Sequence, residues 1–174
     1  MDLKLFKAKL KEMMVVQEAL NSQIATDWKE KGPNWPIDAW LDCGDLIERM
    51  KTHWCKKANL VQSRADVVDV WRYILSDGMR TGQNFDFLVN TLVDEVLRQN
   101  RLMERLGSEK PVVYIGHYLE IKEKAEKLAH SLLSSLWDFN ARCIDFVCIC
   151  HDLGIDFWTL HAMYMGKNTV KQEG

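Results

Sequence analysis

Two pairs of aspartates stand three residues apart in neighbouring parts of the sequence. Asp42 and Asp45 lie in WLDCGDLIER, and Asp66 and Asp69 lie in ADVVDVWRYILSD. Because residues three apart on a helix share one face, two such helices packed together would bring four carboxylates close to one another. Crowded carboxylates repel and raise each other's pKa. A divalent cation removes that cost, and hard oxygen ligands of this kind suit Mg²⁺ or Mn²⁺.

A simpler interpretation is that these aspartates are solvated acids on amphipathic helices. The neighbours of Asp69 argue against it, because they are Val67, Val68, Val70 and Trp71. An acid on a solvated face would not need such apolar neighbours. Both interpretations remain open from the residues alone.

Helical periodicity supplies the elements that would hold these acids. The few chain breakers, three prolines and nine glycines, cluster mainly near residues 32–36, 78–82 and 107–111. Between these clusters apolar residues recur every three or four positions, which predicts about six helices in one all-α domain spanning residues 1–174. The best strand candidate, PVVYI at 111–115, is short.

Each predicted helix carries an apolar face, and the first includes Gln17 as a polar member. Pro36 suits the first turn of the second helix. Asp156, after Gly154, is placed to cap a last helix ending at about Gly166. The predicted faces comprise Leu3, Phe6, Leu10, Met13, Met14, Leu20 and Ile24; Trp40, Ile47 and Met50; Val67, Val70, Trp71, Ile74 and Leu75; Phe87, Leu88, Leu92, Val96, Leu97 and Met103; and, in a long helix from Tyr118 to Cys150, Leu128, Leu132, Leu136, Phe139, Cys143 and Phe146.

The composition is that of a soluble globular protein, with 47% hydrophobic and 28% charged residues. A net charge of -2 does not favour direct binding of nucleic acid. The apolar stretches are too short for a membrane span, and the N-terminus lacks the apolar core of a secretion signal. We therefore expect a cytoplasmic protein whose five cysteines are reduced.

Other motifs carry weaker signals. The His151-Asp152 dipeptide is that of HD-type phosphohydrolases, but that fold needs further His and Asp ligands in a set order, and the dipeptide falls in a stretch that the closing-helix match given below explains better. Cys148 and Cys150 lack the ligand spacing of a zinc site. The sequence contains neither GxxxxGK[ST] nor GxGxxG.

Four segments, in order, resemble the dimeric all-α dUTPase family, a branch of the all-α nucleoside triphosphate pyrophosphatases. The second and third are similar to ECAELID followed by WKHWK, and to ELVDIWHFxLSD; the last resembles a closing helix ending in Y-x-G-K-N. Residues 80–150 match only in helical character. The four segments are VVQEALN (15–21), WLDCGDLIERMKTHWCKK (40–57), ADVVDVWRYILSD (65–77) and LGIDFWTLHAMYMGKN (153–168).

The resemblance implies a homodimer that hydrolyses a deoxyribonucleoside triphosphate, dUTP (and dUDP), to dUMP with Mg²⁺. In that family the carboxylate pairs bind two or three Mg²⁺ ions, which hold the triphosphate and activate the attacking water. The ligands here would be Asp42, Asp45, Asp66 and Asp69. Asp45 would orient or deprotonate the water, with Asp69 as the second catalytic carboxylate.

The resemblance also assigns substrate contacts. Gln17 and Asn21 match a Gln and an Asn that face uracil, and their amides offer both a donor and an acceptor. The simpler alternative for this pair is a polar stripe on the first helix. The remaining implied contacts are Trp54 near the nucleotide and Lys56, Lys167 and Asn168 at the phosphates.

The sequence departs from the family pattern at three places. Three of its four site carboxylates are Asp where the family has Glu, so their reach is shorter. The family's His after DIW is Arg72, a permanent cation that could pair with a nearby Asp and displace a metal. The chain ends in TVKQEG where the family continues with Arg-Gln and Gly-Tyr.

These departures leave two alternatives open. One is a related pyrophosphatase acting on another base such as dCTP, since a flipped amide serves either pyrimidine. The other is a non-catalytic helical dimer that binds a protein or nucleotide.

Overall fold

The computed structural model describes residues 2–31, 35–51, 60–80, 82, 85–106, 123–130 and 139–169. Helices make up most of these ranges, as the helical periodicity of the apolar residues predicts. The helices are α1 (Leu3–Ile24), α2 (Trp28–Lys31), α3 (Trp35–Lys51), α4 (Leu60–Arg80), α5 (Phe85–Leu106), α6 (123–130), α7 (Phe139–Asp152) and α8 (Phe157–Thr169). The predicted all-α class is confirmed. The described ranges hold eight helical segments rather than about six. One additional segment is α2, a single helical turn that was not predicted. The other arises because the predicted 118–150 helix is described in two parts, α6 and α7.

Aspartate side chains cap the N-termini of the first and last helices, α1 and α8. Asp2 Oδ1 accepts hydrogen bonds from the backbone N–H groups of Lys4 (2.9 Å) and Leu5 (3.3 Å). Asp156 Oδ1 accepts one from Thr159 N (2.7 Å), which confirms the predicted N-cap of α8. Pro36 lies in the first turn of α3, also as predicted.

A glycine turn directs the chain from α7 into α8. Ile155 N donates to Cys150 O (2.8 Å) and Gly154 N to His151 O (2.9 Å), the two hydrogen bonds of a Schellman motif. Gly154 has φ +67°, a conformation that side chains rarely adopt. Arg64 of α4 donates from Nε (3.1 Å) and Nη2 (3.0 Å) to Leu153 O, so this turn is held against α4.

α4 occupies the centre of the described structure and packs against α1, α2, α3, α7 and α8. Trp71 of α4 stacks on Phe146 of α7 with ring centroids 5.1 Å apart, and its Nε1 donates to Met13 Sδ of α1 (3.4 Å). Phe6 stacks on Phe157 at 3.9 Å, which joins α1 to α8. The apolar face predicted for α4 is entirely buried.

Four predicted core positions are wrong, because Leu3 (46% exposed), Ile24 (61%), Trp40 (42%) and Phe87 (41%) face solvent. Leu3 and Ile24 are the terminal residues of α1, and Phe87 lies in the first turn of α5. Trp40 is displaced because α3 buries Ala39, Cys43 and Leu46 instead. Ala39 and Cys43 are small, so α3 can lie close to α4. Leu132 and Leu136, and the side chains of Met50, Met103 and Phe139, lie outside the described residues.

Candidate active site

The packing of α3 against α4 brings the two aspartate pairs within electrostatic reach of one another. Asp69, Asp45 and Asp66 each raise the pKa of Asp42. Asp66 is buried (7% exposed), Asp42 and Asp69 are partly buried, and Asp45 is exposed. The solvated-acid alternative therefore does not hold for Asp66. Gln62, which lies one turn before Asp66 on α4, donates a hydrogen bond from Nε2 to Asp66 Oδ1 (3.1 Å).

The pKa of Asp42 shows how strongly the charges of this cluster interact. Burial and then repulsion by Asp69, Asp45 and Asp66 raise its pKa from 3.8 to about 6, while Lys167 acts in the opposite direction. A carboxylate in this position is costly to ionise unless a cation lies nearby. The cluster thus has the chemistry of a cation site.

Two cationic side chains, those of Lys167 and Arg72, form ion pairs with Asp69. Lys167 Nζ of α8 is 2.5 Å from Asp69 Oδ2, and Arg72 Nη1 is 3.4 Å from Asp69 Oδ1. The pairing of Arg72 with a nearby aspartate matches the expectation from the sequence. With the side chains arranged this way, no group of three or more His, Cys, Asp or Glu residues in the described ranges is positioned to hold a metal ion. The carboxylate oxygens, and the repulsion that the other three aspartates exert on Asp42, nevertheless fit a divalent cation.

We predict that Asp42→Asn stabilises the metal-free protein near pH 7 by an amount on the order of 1 kcal/mol, a figure discounted for partial exposure. Because Asp42 has a higher pKa when folded (about 6) than the ordinary 3.8, the folded state binds more protons between these values. Stability is therefore lost as pH rises through this window. The variant, which cannot ionise, should lack that loss. Urea unfolding in EDTA at pH 4 and pH 7 measures it.

The control is Asp94→Asn, which removes an exposed carboxylate on α5. An equal gain in both variants would mean that the effect is one of net charge. No gain in Asp42→Asn would contradict the repulsion within the cluster.

Gln17 and Asn21 belong to a buried chain of hydrogen bonds, not to a solvated stripe; they are 1% and 0% exposed. The Tyr164 hydroxyl donates to Gln17 Oε1 (2.8 Å), and Gln17 Nε2 donates to Asn21 Oδ1 (2.7 Å). Asn21 Nδ2 donates to Ser76 Oγ (2.9 Å), whose hydroxyl donates to Arg72 O (2.8 Å). The polar stripe interpretation is wrong. The chain connects α8, α1 and α4.

Sequence reasoning missed Tyr164 and Ser76 as members of this site. Burial raises the pKa of the Tyr164 phenol, so the group remains a hydrogen-bond donor at neutral pH. Both residues stand in the segments MYMGKN and YILSD, so the signal was present. It gave no indication that the two side chains flank the amides.

The other predicted substrate residues are placed differently. Lys167 lies on Asp69. Asn168 is fully buried and donates to Tyr164 O (2.8 Å), while its Oδ1 has no hydrogen-bond partner among the described residues. Trp54 and Lys56 lie outside the described residues.

Two buried acids outside the α3–α4 cluster, Asp77 of α4 and Asp152 of α7, form ion pairs with other helices. Asp77 is 3% exposed, and its carboxylate lies 3.2 Å from Arg142 Nη1 of α7 and 3.3 Å from Arg80 Nη2. The Asp152 of the His-Asp dipeptide pairs with Lys124 of α6 and lies 3.3 Å from His151 Nδ1. These ion pairs hold helices together and leave the α3–α4 cluster as the candidate for chemistry.

A family model described as dUTPase matches residues 9–173. The matched range contains both aspartate pairs, the Gln17–Asn21 amides and the helices that position them. No curated protein matches the sequence. Across the described residues no helix is long and apolar enough to span a membrane. The chain therefore belongs to the dUTPase family, of the all-α nucleoside triphosphate pyrophosphatase type, and it is a nucleotide pyrophosphohydrolase.

Proposed function

We propose that this protein is a Mg²⁺-dependent enzyme, also served by Mn²⁺, that hydrolyses dUTP and dUDP to dUMP in the cytoplasm. The observation that carries the proposal is the effect of Asp69, Asp45 and Asp66 on Asp42 inside a chain matched to the dUTPase family. An aspartate whose ionisation is opposed by three neighbouring aspartates forms part of a site that gains stability from a cation.

The residues that would hold the metal are Asp42, Asp45, Asp66 and Asp69. When bound, Mg²⁺ neutralises phosphate charge and makes a water molecule more acidic. The water oxygen bonds to phosphorus as the phosphoanhydride bond between the α- and β-phosphate groups breaks. The attacking water loses a proton, and the products are dUMP with pyrophosphate from dUTP or with phosphate from dUDP. Asp45, the exposed member of the cluster, is accessible to that water and would orient it or accept the proton.

Lys167 has two roles in this proposal. Its ammonium group neutralises Asp69 in the structure, and a third of its side chain is exposed. Once a divalent cation neutralises Asp69, the same ammonium group is available to a phosphate oxygen. Gln17 and Asn21 would contact the base through their remaining donors and acceptors, which requires that the nucleotide displace the side chains that bury them in the nucleotide-free protein.

A homodimer is part of the proposal. Ile37, Trp40 and Leu41 follow helical spacing along α3 and are 43%, 42% and 53% exposed. An apolar stripe of this kind is typical of a surface that a partner covers. A second copy of the chain is the partner that the family implies.

The test is product release from dUTP, dCTP, dTTP, dATP and dGTP with and without Mg²⁺, for the native protein and Asp69→Asn. We expect turnover of dUTP that requires Mg²⁺ and falls at least about a thousandfold in the variant, because one carboxylate of the cation site is lost. Glu18→Gln, an exposed carboxylate of α1, is the control that retains activity.

Other outcomes would overturn parts of the proposal. Turnover of another base would keep the mechanism and correct the substrate. No turnover by folded protein would favour the non-catalytic dimer, an alternative supported by Lys167 and Arg72 on Asp69.

A further inference from the structure

The hydrogen-bond chain through Gln17 and Asn21 can run in two directions. In the direction found, it starts at the Tyr164 hydroxyl and ends where the Ser76 hydroxyl donates to Arg72 O (2.8 Å). If both amides turned over, Ser76 would donate to Asn21, Asn21 to Gln17 and Gln17 to the Tyr164 oxygen. The Tyr164 hydroxyl would then donate to Met13 O, which lies 3.2 Å away.

Both directions contain four hydrogen bonds, so their terminal bonds decide between them. The direction found ends on a hydroxyl–carbonyl distance of 2.8 Å, which is ideal for such a bond. The opposite direction ends on 3.2 Å, which is longer than the usual range. Ser76 therefore anchors the direction found, and Tyr164 is the group that would permit the opposite one.

The direction matters because uracil and cytosine present inverted edges. Uracil offers an acceptor at O4 and a donor at N3, whereas cytosine offers a donor at N4 and an acceptor at N3. Each amide in the chain retains a second N–H and a second oxygen lone pair beyond its bonds within the chain. Turning an amide over exchanges the positions of these groups, and so exchanges the pyrimidine that they match.

We propose that Ser76 and Tyr164 are positioning residues that set the direction of this chain, and that Ser76 thereby makes the site select uracil over cytosine. The inference rests on the proposed function, in which the Gln17 and Asn21 amides contact the base. Neither hydroxyl needs to contact the nucleotide.

The two hydroxyls have opposite effects when removed. In Ser76→Ala the direction found retains two hydrogen bonds and the opposite one retains three, so the amides turn over. In Tyr164→Phe the direction found retains three and the opposite one two, so the amides stay. A merely loosened site would respond in the same way to both substitutions.

The experiment is isothermal titration of dUMP and dCMP into the native protein, Ser76→Ala, Tyr164→Phe and Ser22→Ala. Neither ligand requires turnover. Ser22 is the matched control, because its hydroxyl makes the same bond to the backbone four residues earlier (Glu18 O, 2.8 Å) but is exposed. Circular dichroism verifies that each variant is folded. Side-chain amide NMR signals of Gln17 and Asn21 in the nucleotide-free protein report the direction itself.

We expect Ser76→Ala to shift the ratio of the dUMP and dCMP dissociation constants about tenfold towards dCMP. The Gln17 and Asn21 amide signals should move in the same variant. Tyr164→Phe should weaken the binding of both nucleotides but leave the ratio of their dissociation constants within about threefold of the native value. Ser22→Ala should change neither dissociation constant.

An unchanged ratio in Ser76→Ala, or a native protein that does not prefer dUMP to dCMP, would overturn the inference and leave the proposed hydrolysis untouched. An equal shift towards dCMP in Tyr164→Phe would also overturn it. Binding of neither ligand by the native protein would overturn the role of these hydroxyls in selecting a base, whereas the proposed function is tested separately by Mg²⁺-dependent turnover of dUTP.

Discussion

Asp77→Ala is expected to lower the free energy of unfolding by about 3–5 kcal/mol. Asp77 and Arg142 are 3% and 1% exposed, and their side chains meet at 3.2 Å between α4 and α7. The substitution leaves the Arg142 guanidinium buried without that carboxylate. Removing one partner of a buried pair costs more than the pair itself contributes, because the remaining charge is not resolvated. Urea unfolding followed by circular dichroism measures the loss.

Two comparisons define this result. The double variant Asp77→Ala/Arg142→Met should recover a large part of the loss, since an apolar side chain of similar length replaces the buried charge. Glu18→Ala removes an ion pair to Lys29 in which both side chains are about half exposed, and it should cost about 1 kcal/mol or less. A loss as small for Asp77→Ala would mean that the buried pair does not hold α7 to α4.

Lys167→Met is expected to tighten binding of Mg²⁺ by about tenfold while it slows dUTP hydrolysis. The Lys167 ammonium group lies on Asp69 and offsets the repulsion that raises the pKa of Asp42. A divalent cation at the same carboxylates must displace it, so removing this charge removes a competitor. Hydrolysis slows because the proposed phosphate contact is lost as well.

Calorimetric titration with Mg²⁺ alone separates the two effects, since it requires neither nucleotide nor turnover. Lys9→Met is a matched control, because Lys9 is similarly exposed (36% against 33%) and pairs with Glu12 at 2.9 Å on α1. Weaker or unchanged Mg²⁺ binding in Lys167→Met would show that Lys167 does not compete with the metal. An equal gain in Lys9→Met would reduce the effect to net charge.

Local geometry made much of this protein predictable from its sequence. Helical spacing of apolar residues and the scarcity of glycine and proline were sufficient for the all-α class. The cap at Asp156 needs only its own side chain and the next turn of backbone. The three-residue spacing of each aspartate pair likewise depends on one helix at a time.

The sequence alone therefore determined the helices, the spacing of the four aspartates and, through its motifs, the family. Tertiary structure decided which groups meet. The small residues Ala39 and Cys43 of α3 are buried, whereas Trp40 on the same helix is exposed. Lys167 reached Asp69 from another helix, and Tyr164 and Ser76 closed on the two amides from opposite sides. These contacts join residues far apart in the chain, and their partners are selected by side-chain volume and by the need to satisfy buried polar groups, neither of which has a period along the sequence.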